Sequence, residues 1–417
     1  MPILEGIAVA LFGILTAALL LLPKESFVFE ELASPGERQV GRLIGLAGFA
    51  FGVTVLGVLT IVESAGMPMI VFILAVTIVA AGIFVEAVVD DRLVRPGLET
   101  VGFTIGGAAT GGLVYGFFQL MELGFGLALG TFLVSTGALA AGLFRSAFGY
   151  GEDPLLVVGV GLLLWLFVEI GLVIGLASEL GAVIVTTAIG VGAYILSIAS
   201  IAGMLSGVLL ALITLVYGGI GWFLVLLSFF GVGGLATKYR YDEKAVRGVA
   251  EDHAGARGTG NVLGNSLVAL AAVIGYAGVG PIESVEQLVF ALAFTGAVAT
   301  ALADTLSSEI GSLYDRPKLV TTLEPVTPGT DGAVTLEGTL AGMAGASLVA
   351  LLTVALFDQV GVRGGGFIIL AGTIGMFADS FFGATLENGW IENATVNLLA
   401  TLVGALTASG LWLLTGG

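Results

Sequence analysis

"VEQLVFALAFTGAVATALA", residues 285 to 303, decides the fold, because a run of about 20 mainly apolar residues is what ~30 Å of hydrocarbon requires. Directly after it the chain turns polar. Residues 304 to 335, "DTLSSEIGSLYDRPKLVTTLEPVTPGTDGAVT", carry Asp304, Glu309, Asp315, Arg316, Lys318, Glu324 and Asp331 in a sequence in which only 11% of residues are charged. Acid, base, Thr and Gly therefore gather at the foot of a spanning helix. Similar apolar runs recur along the chain, from 3 to 22 through 98 to 120, 123 to 146, 154 to 177, 181 to 200, 203 to 217 and 219 to 236, to a last one at 395 to 414. The fold expected is all-α: a polytopic integral membrane protein of about 14 transmembrane helices. Gly203 and the Gly218-Gly219 pair divide the stretch from 180 to 236 into three helices, some short or broken, since glycine punctuates such runs.

Composition agrees and excludes other classes. The 417 residues are 57% hydrophobic with 66 Gly, and the mean hydropathy is +1.09, values outside the soluble globular range. There is no Cys and a single His253, so disulfides, thiolate nucleophiles and Cys/His zinc sites are ruled out. Carboxylates, hydroxyls, Lys, Arg and hard oxygen-bound metals remain. A net charge of -17 speaks against nucleic acid as a partner. Such acidity suits a salt-adapted, archaeal halophile-like proteome, with chance surface acidity as the plainer alternative. Met1 to Leu22 lacks the basic n-region and cleavage site of a signal peptide and reads as a retained first helix. With 14 spans and both termini outside a cell membrane, 13 of the 14 Lys and Arg residues fall on the cytoplasmic side and only Arg363 falls outside, as the positive-inside rule asks. That topology puts 237 to 259, 304 to 333 and 383 to 394 on one cytoplasmic face.

Three polar segments could then build one site. In "DTLSSEIG", Asp304, Ser307, Ser308 and Gly311 share a helical face, which offers a Mg²⁺ or polar-headgroup site of oxygen ligands; solvation of a helix end is the plainer reading. "RPKLVTTLEPVTPGTDGAVT" brings Lys318, Thr321, Thr322, Gly329, Thr330 and Gly332, whose backbone N–H groups and ammonium suit phosphate, although "PGTDG" is also an ordinary turn. "ADSFFGATLENGWIENATVN" supplies Asp379, Gly383, Glu387, Asn388, Trp390 and Asn397. Asp379 stands in an Ala-Asp-hydroxyl triplet like that of Asp304 and should lie at the same depth, whereas Trp390 reads as an interfacial anchor. In "KYRYDEKAVRGVAEDHAGARGTGNVLGN", basic and acidic residues precede Arg257, Asn261 and Asn265; the segment fits either an amphipathic helix on anionic lipid or a substrate-phosphate contact. Glu86 and Glu169 lie inside apolar runs of the N-terminal half, Glu169 deeply, as a proton or ion position or a hydrogen-bonded acid. The glycines of "GTLAGMAG", 338 to 345, and of "GNVLGN", 260 to 265, suit close helix contact.

Together, "GWFLVLLSFFGVGGLATKYRYDEKAVRGVAEDHAGARGTGNVLGN", "ADTLSSEIG", "LVTTLEPVTPGTDGAVTLEGTLAG" and "DSFFGATLENGWIENATVNLLAT" resemble the membrane-protein family of unknown-function domain 92, which includes transmembrane protein 19 and the plant phytyl-phosphate kinase. The resemblance covers about residues 185 to 417 and divides the chain into an N-terminal membrane domain of unknown role, 1 to 180, and a phytyl-phosphate kinase-like membrane domain, 181 to 417. It implies a kinase that makes an isoprenoid diphosphate from the monophosphate with a nucleoside triphosphate, CTP in the plant case, and Mg²⁺. Asp304, Ser308, Glu309 and Gly311 stand in its acidic motif, Thr321, Thr322, Gly329, Thr330 and Gly332 in its Thr/Gly motif, and Asp379 with Gly383 in its last. This chain departs from the family at Glu324, Asp331 and Ala333, where a basic residue, Asn and Gly are usual. Asp304, Glu309 and Asp379 are thus the expected catalytic and metal-binding acids. Ser308, Gly311, Lys318, Thr321, Thr322, Gly329, Thr330 and Gly332 are expected on the nucleotide, and Arg257, Asn261, Asn265, Gly383 and Asn397 on the lipid substrate. The competing class is a transporter or flippase for a polar or lipid-linked solute, for which Glu86, Glu169 and the broken helices would be the working parts; a scaffold without catalysis is the third.

Overall fold

The computed structural model describes the whole chain apart from Met1 and residues 33–34, 63–64, 91–96, 148–152, 173, 252–254, 280–283, 388–390 and 416–417. His253, Asn388 and Trp390 lie outside the described residues, as do Arg92 and Arg95 of the charge count. The chain forms two compact units, Met1–Val183 and Ile184–Gly417.

In the first unit, α1 (Pro2–Leu20) is followed by two short helices, α2 (Phe27–Leu32) and α3 (Pro35–Val40), and then by α4 (Ile44–Ile61), α5 (Met69–Asp90), α6 (Leu98–Leu120), α7 (Leu127–Ala147) and α8 (Asp153–Ile170). α1 packs on α4, α5 on α6, and α7 on α6 and α8. Their core is aliphatic and aromatic, with Leu56, Leu74, Ile78, Phe103, Phe132 and Phe167 sealed from solvent. Glu86 is not a lone intramembrane acid: Arg145 Nε meets its Oε2 at 2.8 Å and its Oε1 at 3.1 Å. Glu169 is not deep either. The run expected to reach residue 177 stops at Ile170, because Gly171 takes φ +78° and its N–H closes on Phe167 O, the usual left-handed glycine stop. Glu169 therefore lies in the last turn, exposed, where it accepts from Trp165 Nε1 at 3.0 Å.

α9 (Leu176–Ile195) precedes α10 (Ile201–Ile213), which runs through a π turn, Thr214–Gly218, before α11 (Ile220–Lys238). Three helices were expected here, and the breaks have local causes. Ser200 Oγ accepts from Gly203 N at 3.1 Å to start α10, and Gly219 at φ +82° separates the π turn from α11. Then come the short α12 (Tyr241–Val246), α13 (Thr259–Val279), α14 (Ser284–Gly311), a two-stranded ribbon of β1 (Lys318–Leu319) and β2 (Ala333–Val334), α15 (Leu336–Leu356), α16 (Gly361–Leu386) and α17 (Asn393–Leu414). The strands pair antiparallel, Lys318 opposite Val334. Twelve helices among the described residues are long and apolar enough to cross a membrane; with α1 and the shorter apolar α8 they account for about 14.

α14 is the axis of the second unit, touched by α11, α13, α15, α16 and α17. Small residues make that crowding feasible. A Cβ on Gly342 would come 2.7 Å from Ala303 O, one on Gly372 3.1 Å from Ala299 O, and one on Gly404 2.7 Å from Gly296 O. The "GTLAGMAG" glycines thus face α14 within the molecule. Far from the polar segments, Trp222 at the start of α11 stacks among Tyr276, Phe294 and Phe357, with ring centroids 4.7, 4.7 and 5.8 Å away.

Candidate functional site

Where α11, α14 and α16 finish and α13, α15 and α17 begin, the second unit holds a cavity of about 540 Å³. Residues of three polar segments from distant parts of the chain line it: 248–251 with 255–261, 304–335, and 379–387 with 393–397. Arg247 Nη1 donates to Asp315 Oδ1 at 3.1 Å and ties the first to the second.

One side of the cavity is acidic. Asp304, in the last two turns of α14, and Asp379, in the last two turns of α16, bring their carboxyl groups within hydrogen-bonding reach of each other. The two acids therefore share a depth, as their matching triplets suggested. Asp379 Oδ1 is buried without a hydrogen-bond partner. Paired carboxylates with a spare oxygen fit Mg²⁺, which commonly takes one or two carboxylates and completes its shell with phosphate and water oxygens. Glu387 and Asp331 stand beside them; burial, and then Asp331, push the Glu387 carboxyl above its ordinary range.

A cationic group also lines the cavity. Arg257 is only 6% exposed; its backbone is pinned by Arg257 N to Ile198 O at 2.9 Å and Ser200 N to Arg257 O at 3.1 Å. The guanidinium lies over the Phe229 ring, 4.7 Å from its centroid, in space that Gly233 leaves: a Cβ there would come 2.5 Å from Nη2. Nη1 has no hydrogen-bond partner. Burial lowers the Arg257 pKa to about 10, with Glu309 and Glu251 acting in the other direction, so the group is charged at neutral pH. Asn265, which donates to Asn261 O at 3.0 Å, and the buried Asn397 continue this wall.

Glu309 departs from expectation. Its Oε2 receives Lys244 Nζ at 2.5 Å, and that ammonium, fully buried, also donates to Ala236 O at 3.1 Å and Thr237 O at 2.8 Å. Among the described residues no three Asp, Glu, His or Cys side chains are arranged to hold a metal. The expected trio of metal-binding acids reduces to Asp304 and Asp379, because a buried ammonium claims the third.

The Thr/Gly segment divides. Gly329, Thr330 and Gly332 line the cavity, with φ +84° and +75° at the two glycines. Gly332 is also a packing residue: a Cβ would fall 2.5 Å from Ser380 O and from the Ala384 methyl. Gly383, beneath it, and Ser308 and Gly311 line the cavity too. Lys318, Thr321 and Thr322 do not. They are exposed on β1 and the turn after it, where Leu319 N bonds Glu324 O at 2.9 Å and Val320 N bonds Gly332 O at 3.0 Å, so the ribbon holds them away from the wall.

Residues 184–405 match the family model described as integral membrane protein DUF92. The chain belongs to the DUF92 integral membrane family. An uncharacterised membrane protein of Synechocystis is 39% identical over 204 residues, 47% of this chain and 77% of its own length. One from Methanocaldococcus jannaschii is 36% identical over 216 residues, 49% and 82% of the two chains. The chloroplastic protein VTE6 of Arabidopsis thaliana is 34% identical over 198 residues, 46% and 58%. No solved structure matches. As a DUF92 protein the molecule is a multi-pass membrane protein of the lipid bilayer, and the family match falls on the unit that holds the cavity.

Two residues escaped the sequence reading, one beside the cavity and one in its wall. Lys244 looked like one charge among several on an amphipathic segment; only its spacing of seven and eight residues from the end of α11 hints at a cap, and nothing local points to Glu309, 65 residues on. Asp331 registered as a departure from the family pattern and lines the cavity beside Glu387.

Proposed function

We propose that this protein phosphorylates an isoprenoid monophosphate to the diphosphate, with a nucleoside triphosphate, CTP foremost, as donor and Mg²⁺ as cofactor, at a cytoplasm-facing site. One observation carries the reading: one cavity is lined both by a buried guanidinium whose Nη1 has no hydrogen-bond partner and by a pair of carboxylates. Those features suit the two reactants of phosphoryl transfer, a phosphate monoester and a metal-bound triphosphate. The relationship to VTE6 and the resemblance to phytyl-phosphate kinase support it.

In this reading Mg²⁺, when bound, would supply charge neutralisation to the transferring phosphate. Asp304 and Asp379 hold its place through oxygen ligation. Arg257 grips the acceptor phosphate, with Asn261, Asn265 and Asn397 beside it, and turns one oxygen towards the γ-phosphorus. That oxygen forms the new P–O bond as the bond to the β–γ bridging oxygen breaks, and the nucleoside diphosphate leaves. The acceptor needs no base, because a phosphate monoester is already largely ionised at neutral pH. Positioning and charge neutralisation are what the protein supplies.

The test is a proteoliposome assay with CTP, Mg²⁺ and geranylgeranyl phosphate. Wild-type protein is expected to form the diphosphate, and Asp304→Asn to fold normally and lose about a hundredfold or more in turnover. Near-normal turnover in Asp304→Asn, or none in wild type with CTP or ATP, rejects the assignment.

A further inference from the structure

Lys244 lines no part of the cavity and reaches no ligand, yet it is the most completely enclosed charge near it. Its ammonium has three donors, and three acceptors take them: Ala236 O, Thr237 O and Glu309 Oε2. The first two are carbonyls of the last turn of α11, where a cation is favoured. The third engages an acid whose field also reaches Arg257. So Glu309 stands near both cations and is in direct contact with Lys244, while Arg257, on which Glu251 also acts, keeps Nη1 without a hydrogen-bond partner. A buried cation short of counter-charge is costly. Without Lys244, the least costly rearrangement would turn Glu309 onto Arg257.

We propose that Lys244 is a positioning residue: by occupying Glu309 it keeps the Arg257 guanidinium open for a phosphate monoester dianion. This rests on the reading of the cavity as a phosphate site, and gives Glu309 the role of a counter-ion held aside rather than a metal ligand. The seat for the acceptor phosphate would then be preformed and independent of metal, in contrast to the Asp304–Asp379 side.

Full-length protein in detergent is titrated calorimetrically with inorganic phosphate and with geranylgeranyl phosphate in the absence of Mg²⁺, with thermal unfolding to verify folding. Wild type is expected to bind. Lys244→Gln should weaken binding about tenfold or more, because Glu309 closes on Arg257. Lys244→Gln/Glu309→Gln should recover to within about threefold of wild type, and Glu309→Gln alone should bind about three- to tenfold tighter, one negative charge near the guanidinium having gone. A Lys244 that served only to hold α12 in place would leave the double variant as weak as the single one. If Lys244→Gln does not fold, the other two variants decide. An undiminished Lys244→Gln, an unrecovered double variant, or a Glu309→Gln no tighter than wild type overturns the inference. Turnover by wild type without metal-free phosphate binding overturns it while sparing the proposed reaction; binding of inorganic phosphate but not of the lipid phosphate upholds the seat and rejects the isoprenoid.

Discussion

Arg257 depends on being arginine in two ways. A planar guanidinium stacks on Phe229 and can still present two parallel N–H groups to a phosphate, whereas an ammonium offers a point charge only. Arg257→Lys is therefore expected to raise KM for the prenyl phosphate about tenfold or more, with KM for CTP within about twofold of wild type; steady-state kinetics with each substrate varied separately check it. Glu387 makes a prediction of pH. Its folded pKa is raised by burial and by Asp331, so ionisation costs stability in the folded protein. The cost is fully present above the folded pKa and vanishes below the unfolded one. Glu387→Gln should accordingly raise Tm at pH 7.5, and the gain should disappear as the pH falls to about 4, near the ordinary carboxylate pKa. Thermal unfolding of both proteins across that range measures it, and equal gains at both pH values would contradict it.

At the scale of elements, the glycines separate those that admit a neighbouring helix from those that do not. On α17, Gly404 abuts α14, with Gly296 O 2.7 Å from where a Cβ would stand, while Gly410 has open space. Gly404→Ala should cost about 1–3 kcal/mol by forcing the helices apart, and Gly410→Ala should change stability by less than about 1 kcal/mol; unfolding in mixed detergent compares them. Helices of this kind were legible in the sequence because hydropathy needs no tertiary information. Their exact ends were not: α8 stops seven residues before its apolar run does, since the stop is set by the backbone conformation of Gly171. The acids at 304 and 379 were legible through a repeated triplet at corresponding helix ends. Glu309 was misread for the reason that hid Lys244: ion pairing across 65 residues leaves no local pattern. Thr321 and Thr322 were carried by a motif and Lys318 by its charge, and neither reveals which side of a ribbon faces inward.

For the whole molecule, every residue lining the cavity lies in the second unit, and so does the family match from 184 to 405. A fragment starting at Gly175 is expected to insert, to remain monodisperse in detergent, and to show the same thermal stabilisation by Mg²⁺ and CTP as the full chain. A fragment that folds but gains nothing from nucleotide, when the full chain does, would give the first unit a direct part in binding. In residues 1 to 180 the acids that had suggested a proton or ion position have local partners: Glu86 is matched by Arg145, and Glu169 ends a helix. The knot of rings around Trp222 carries a different consequence. Its four rings fill the bundle between α11, α13, α14 and α15 at the end remote from the polar cavity. On the proposed reaction, rings packed there would make that end a poor exit, and a lipid modified in the cavity would leave on the side of the three polar segments.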